Sequence, residues 1–156
     1  MQSKEKLVES HIVETKKHID NVKKRVKEFC TTLGKMAASH DESKLMPGEI
    51  ELFAEYTPRL KDLVYGSDEY KQCLKELGPA LESHYECNAH HPEYFEDGIA
   101  GMTLMDLAEM FCDWKAATER HKDGDLERSI EINTKRFGIS PQLRAILRNT
   151  MVYLDW

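Results

Sequence analysis

The sequence predicts an all-α fold, a single compact bundle of about seven helices spanning residues 1–156. Three observations carry that expectation. Apolar residues recur at helical spacing along most of the chain, and no stretch alternates apolar and polar residues as a half-buried strand would. Punctuation is the third observation: capping residues, Gly-Pro pairs and Gly-containing turns divide the chain into helix-sized pieces. At 156 residues, 40% apolar and 32% charged, the chain can bury one ordinary core and is too apolar for a disordered segment.

Val8, Ile12, Thr15, Ile19, Val22, Val26, Phe29 and Leu33 follow a 4-3-4-3 spacing, the inner stripe of one long amphipathic helix. Gly34 reads as its stop, so Met36, Ala37 and Ala38 are assigned to a short second helix reaching His40. Pro47-Gly48 opens the next helix, with Ile50, Leu52, Phe53 and Tyr56 inside it and Pro58 closing it. Tyr65-Gly66-Ser67 reads as a turn, with Ser67 capping a helix over 67–77. Gly78-Pro79 stops that helix and starts another over 79–90, because Pro92 biases His91 away from helical geometry. Residues 92–102 form the one loop of note. Thr103 and Asp106 have capping-box spacing and open a helix to about residue 121. Asp123-Gly124-Asp125 is a turn into a helix that ends at Gly138, and Ser140-Pro141 begins the last one.

Charge and composition exclude several classes of function. A formal charge of −6 and a pI near 5.7 argue against a nucleic-acid polymer as partner. No apolar run is long enough to span a membrane, and the charged opening residues carry no secretory signal, so a cytoplasmic location is expected. Cys30, Cys73, Cys87 and Cys112 are widely spaced and read as reduced, mostly buried thiols. The sequence leaves a homo-oligomer open.

The residues with chemistry cluster around histidine and aspartate. His40 and Asp41 are adjacent in Ser39-His40-Asp41-Glu42-Ser43-Lys44. Neighbours on a regular helix point about 100° apart, so paired ligands need a bent helix end or an ion reached from both sides. Imidazole and carboxylate together suit Zn, Fe, Mn and, through oxygen, Mg. The stretch from Leu81 to His91 holds His84, His90 and His91; on a continuous helix His84, Asn88 and His91 share a face and His90 points elsewhere. Asp113 sits among apolar neighbours in mid-helix, where an aspartate is costly unless a cation pairs with it. His18 flanks the inner stripe of the first helix, with Glu14 one turn before it.

In chain order, His18, His40-Asp41 and Asp113, with histidines between, resemble the HD-domain superfamily of metal-dependent phosphohydrolases. His18-Ile19-Asp20-Asn21-Val22 is similar to that family's HxxxV opening, His40 to Lys44 to its HDxxK form, and Asp113 to Ala116 to its closing segment. Glu14 and His90-His91-Pro92-Glu93 resemble the cyclic-dinucleotide-cleaving branch. That branch's Gly-Tyr-Pro motif is absent, since Ile99-Ala100 follow Gly98, and His84 stands closer to the His pair than in that branch. Its substrate is therefore not carried over. Over residues 11–150 the chain resembles more closely a family of small bacterial and phage proteins without known substrate. The shared segments are His40 to Leu45, Tyr65 to Tyr70, Asn88 to Glu93 and Cys112 to Ala117.

The resemblance implies hydrolysis of a phosphate ester or anhydride of a small molecule, with a nucleotide as the leading substrate. It implies one or two divalent ions (Mn, Fe, Co, Zn or Mg), the first held by His18, His40, Asp41 and Asp113. His84 with His90 or His91 holds a second ion, or His84 protonates the leaving group. Asp41 takes the proton of the attacking water and Lys44 contacts phosphate, with Asn88, Lys115 and Arg120 as further substrate contacts. Two other functions stay open. One is a di-iron oxygenase of the same fold, using His18, His40, Asp41, His84, His91 and Asp113. The other is a non-catalytic module that binds a nucleotide or a partner.

Overall fold

A computed structural model describes residues 3–64, 66–120 and 124–156 and divides into two compact units, Met1–Ser39 and His40–Trp156. Among the described residues there are seven α-helices, three short 3-10 turns and no strand, which is the all-α class expected.

The first unit is one helix, α1 (Lys4–Ala38), capped by Ser3, whose hydroxyl accepts from the Lys6 amide at 3.4 Å. Gly34 does not stop it. A lone glycine costs a helix about 1 kcal/mol, too little to end it, and the good helix formers Leu33, Lys35, Met36, Ala37 and Ala38 beside it carry the helix through. The expected second helix is therefore the last turn of α1. The stop comes at Ser39, whose hydroxyl turns back on the carbonyls of Lys35 and Met36 at 3.4 and 3.3 Å.

The second unit opens with a turn at His40 and a 3-10 turn, Glu42–Leu45. Helix α2 (Ile50–Lys61) then contains Pro58 instead of ending there. Proline removes one intrahelical bond, and the chain after it closes with tighter contacts, Asp62 N to Arg59 O and Leu63 N to Leu60 O, both 3.3 Å. Helix α3 (Asp68–Glu76) is capped by Ser67 as expected, while Tyr65 lies outside the described residues. Helix α4 (Gly78–Cys87) carries Pro79 in its first turn. Cys73, Leu77 and Ala80, all buried, pin the α3–α4 corner.

Helix α4 ends at Cys87, short of the expected 90. Asn88 is extended (φ −125°, ψ 104°), and its amide donates to the His84 carbonyl at 2.7 Å, satisfying a last-turn acceptor. Short 3-10 turns, Pro92–Tyr94 and Gly98–Gly101, occupy the expected loop. Helix α5 (Leu104–Glu119) starts with the reciprocal Thr103–Asp106 capping box. His121 and Asp123 lie outside the described residues. Asp125 caps α6 (Leu126–Phe137), which ends at Gly138 in left-handed geometry (φ 62°), and Ser140 caps α7 (Pro141–Tyr153).

The core packs α5 on α6 and α6 on α7. Met110, Phe111 and Trp114 of α5 meet Leu126 and Ile130 of α6, Ile139, and Leu147 of α7. The Trp114 and Phe137 rings stack nearly parallel, 6.5 Å between centroids. Burying each such side chain contributes about 1.5–3 kcal/mol. This apolar face of α5 leaves Asp106, Glu109 and Asp113, spaced three and four residues apart, on another stripe of the same helix. All four cysteines are free, but only Cys73 is buried, so the expectation of mostly buried thiols holds for that one alone. No described helix is long and apolar enough to cross a membrane.

Candidate metal centre

The centre is built within the second unit from three separate pieces of chain. The first is the turn that follows α1. Asp41 adopts φ 59°, ψ 15°, a left-handed conformation that is unfavourable for a residue with a Cβ unless the surroundings hold it. This turn breaks the helical spacing, so His40 and Asp41 are not constrained to diverge as helical neighbours. The second piece is the end of α4 with the turn beyond it, carrying His84, His90 and His91. The third is the polar stripe of α5, carrying Glu109 and Asp113.

The two carboxylate oxygens of Asp41 face different partners. Oδ1 lies 3.1 Å from His84 Nε2 and 3.4 Å from His90 Nε2. Oδ2 lies 2.6 Å from Lys44 Nζ and 3.6 Å from His40 Nε2. His40 Nε2 is also 3.6 Å from Asp113 Oδ1. On the other side, His84 Nε2 and His91 Nε2 approach to 3.0 Å. Two sets of ligand atoms result, Asp41 with His84, His90 and His91, and His40 with His90 and Asp113. Within each set the atoms all lie within 4.8 Å of one another. His90 belongs to both.

Two atoms in this cluster are buried without any hydrogen bond, Asp41 Oδ1 and His90 Nε2. His84 Nε2 stands close to the first without bonding to it. Buried polar atoms are almost always satisfied, and a pair left unsatisfied 3.4 Å apart is what a shared cation would complete. The donor set of imidazole and carboxylate fits a divalent metal. This buried His/Asp group can hold a metal ion.

Outer partners orient the rings. His40 Nδ1 hydrogen-bonds Glu109 Oε1 at 3.0 Å. His84 Nδ1 meets the Ser43 hydroxyl at 2.9 Å, and Ser43 and Ser83 both donate to Glu49, at 3.0 and 3.2 Å. Asn88 donates to the same Ser43 hydroxyl at 3.0 Å. The electrostatics follow. Asp113, then Glu109 and Asp41 after the opposing effect of burial, raises the His40 pKa to about 9. Burial disfavours ionised Asp41, but the nearby imidazoles of His84 and His90 and the Lys44 ammonium outweigh it and hold the carboxyl far below its ordinary range. Burial, with His90 and His84 adding repulsion, lowers His91 to about 3, so its ring is neutral and ready to coordinate. Burial likewise opposes ionised Asp113, and His40 more than offsets it.

The structure therefore brings together His40, Asp41, His84, His90, His91 and Asp113. Both members of the His90-His91 pair take part. His90 turns inward because α4 stops at Cys87 and the chain is no longer helical when it reaches residue 90. His18 lies in the first unit with an exposed side chain, and the two ligand groups form without it. Lys44 is in place beside Asp41, its ammonium also 5.1 Å over the Phe53 ring. Asn88 ties the end of α4 to Ser43. Lys115 pairs with Glu119 at 3.2 Å, one turn along α5, and Arg120 is exposed at the end of that helix. Sequence reasoning missed Glu109 and Glu49. Glu109 stands four residues before Asp113, so a face argument of the kind applied to His84 would have found it. Glu49 has no such local signal.

A buried His/Asp centre on an all-α scaffold is thus the class that fold and site define. The chain belongs to the protein family described as "Family of unknown function (DUF5662)", which matches residues 7–152. No curated protein and no solved structure matches it.

Proposed function

We propose that this protein is a metal-dependent phosphohydrolase acting on a small phosphorylated molecule, with a nucleotide as the leading substrate class. The observation that carries the metal is the pair of buried, unsatisfied atoms, Asp41 Oδ1 and His90 Nε2, inside two ligand groups that share His90. Asp41, His84, His90 and His91 would hold one ion, and His40, His90 and Asp113 a second. The orientation of Asp41, one oxygen toward each group, supports the two-ion arrangement. A divalent ion supplies a water of lowered pKa and countercharge for phosphate oxygens.

What supports phosphate as the substrate is Lys44 together with the resemblance to HD-type phosphohydrolases. The Lys44 ammonium is held at the rim of the cluster by Asp41 and is placed to pair with an anionic group. Asp41 and Asp113 would stay ionised, serving as ligands and as hydrogen-bond acceptors that orient the attacking water, while the ion lowers that water's pKa. His84 is 1% exposed with both ring nitrogens in contact with side chains, which suits a ligand better than a proton donor to a leaving group. Asn88 acts by holding His84, since its amide is spent on Ser43 and the His84 carbonyl.

The test is metal analysis of untagged protein purified without chelator, followed by phosphate release from a nucleotide panel with Mn, Co, Mg or Zn. One or two ions per chain with metal-dependent release are expected. Protein that binds no ion ends the reading. Bound ion without release from any substrate ends its phosphohydrolase part. Iron content with oxygen-dependent turnover would point to the oxygenase, and stoichiometric nucleotide capture to the binding module.

A further inference from the structure

Glu109 is a part-buried carboxylate at the back of the cluster, its side chain 10% exposed. It lies on α5 one turn before Asp113, so the same helix stripe delivers both carboxylates. Its Oε1 bonds His40 Nδ1 at 3.0 Å and lies 3.7 Å from His90 Nδ1, an electrostatic contact beyond hydrogen-bond length. The His40 and His90 rings sit 4.3 Å apart between centroids. Both turn the opposite nitrogen, Nε2, toward the Asp41 carboxylate, at 3.6 and 3.4 Å. One carboxylate oxygen thus stands behind the only two imidazoles of the His40, His90 and Asp113 group.

We propose that Glu109 is a positioning residue that sets the tautomer and ring orientation of His40 and His90 together. This rests on the metal reading above. An imidazole can carry its proton on either nitrogen, and only the bare one coordinates. A carboxylate facing Nδ1 keeps the proton there and leaves the Nε2 lone pair for the ion. Because His90 is shared, Glu109 acts on both ligand groups from outside either of them. A neutral glutamine in its place keeps an acceptor oxygen but loses the charge, so its effect should be intermediate.

The test uses zinc, which imidazole and carboxylate ligands bind well. Zinc affinity is measured by competition with a chromophoric chelator for the full chain, Glu109→Gln and Glu109→Ala. Long-range proton–nitrogen spectra of the zinc-loaded protein report which ring nitrogen carries the proton. The alanine variant is expected to bind roughly 10–100-fold more weakly, with Gln recovering part of the loss. Wild-type His40 and His90 are expected to carry the proton on Nδ1, and the alanine variant to lose that uniformity. Wild-type affinity and unchanged ring signals in Glu109→Ala would overturn the role of Glu109 while leaving the metal reading intact. If Glu109→Ala does not fold, Gln decides: unchanged affinity overturns the proposal, and a weakened site with altered ring signals supports it. A wild-type protein that binds no zinc would remove the metal reading and this proposal with it.

Discussion

Asp41 is the residue on which the candidate centre turns. It holds a left-handed backbone that most residues avoid, it offers one oxygen to each ligand group, and one of those oxygens is buried without a hydrogen bond. Conformational strain at a position with unsatisfied buried charge points to a role beyond packing. Replacing Asp41 with alanine should lower metal affinity by more than about a hundredfold, a larger loss than outer-shell partners give. Phosphate release should fall to background, with helical content by circular dichroism unchanged. Near wild-type metal content in Asp41→Ala would place the centre elsewhere. Lys44 is then left without its carboxylate partner, so the variant also tests whether that ion pair is needed for folding.

At the scale of elements, α5 does two jobs with two stripes. Met110, Phe111 and Trp114 face the core, and Glu109 and Asp113 face the histidine cluster of the candidate centre. Its register is set at the N-terminus by the Thr103–Asp106 box, so the position of the ligand stripe depends on a local cap. Helix α1 shows the opposite relation between local signal and outcome. Gly34 lies inside it with open space around its missing side chain and ordinary helical backbone. Gly34→Ala should therefore stabilise α1 by about 0.5–1 kcal/mol, because alanine gives up less backbone freedom on folding. Thermal melts followed by far-ultraviolet circular dichroism would show the gain. A lower melting temperature would mean that Gly34 is needed for a close approach.

Across the whole molecule, the candidate centre joins segments far apart in the chain: the turn at 40–44, the stretch 84–91 and the α5 stripe at 109–113. An ion that binds only the assembled site must stabilise the fold. At a free zinc concentration about a hundred times Kd the gain is about 2.7 kcal/mol, several degrees in melting temperature for a unit of this size. Calorimetry with and without chelator would measure it. Ile130→Ala gives the control from the opposite side of α5. Ile130 is fully buried, so its loss should cost about 2–5 kcal/mol while the number of ions bound stays the same. A melting temperature unmoved by zinc would show that zinc does not bind the folded state preferentially.

The sequence by itself determined the helical class and most helix starts. Ser67 and Thr103 with Asp106 cap as read and Ser140 stands at the start of the last helix as read, because a cap is a bond between residues three apart. It also marked His40, Asp41, His84, His90, His91 and Asp113, since such side chains are conspicuous in segments that otherwise read as helix. Local reasoning went astray where it weighed one residue against a whole helix, at Gly34 and Pro58, and where α4 gives way early to Asn88. Only the tertiary structure decided that His90 turns inward, that one ligand is shared by two groups, and that Glu109 and Glu49 stand behind the imidazoles. Those facts depend on contacts between residues tens of positions apart, such as His40 with Glu109, and no short-range periodicity encodes which distant side chains a packed core brings together.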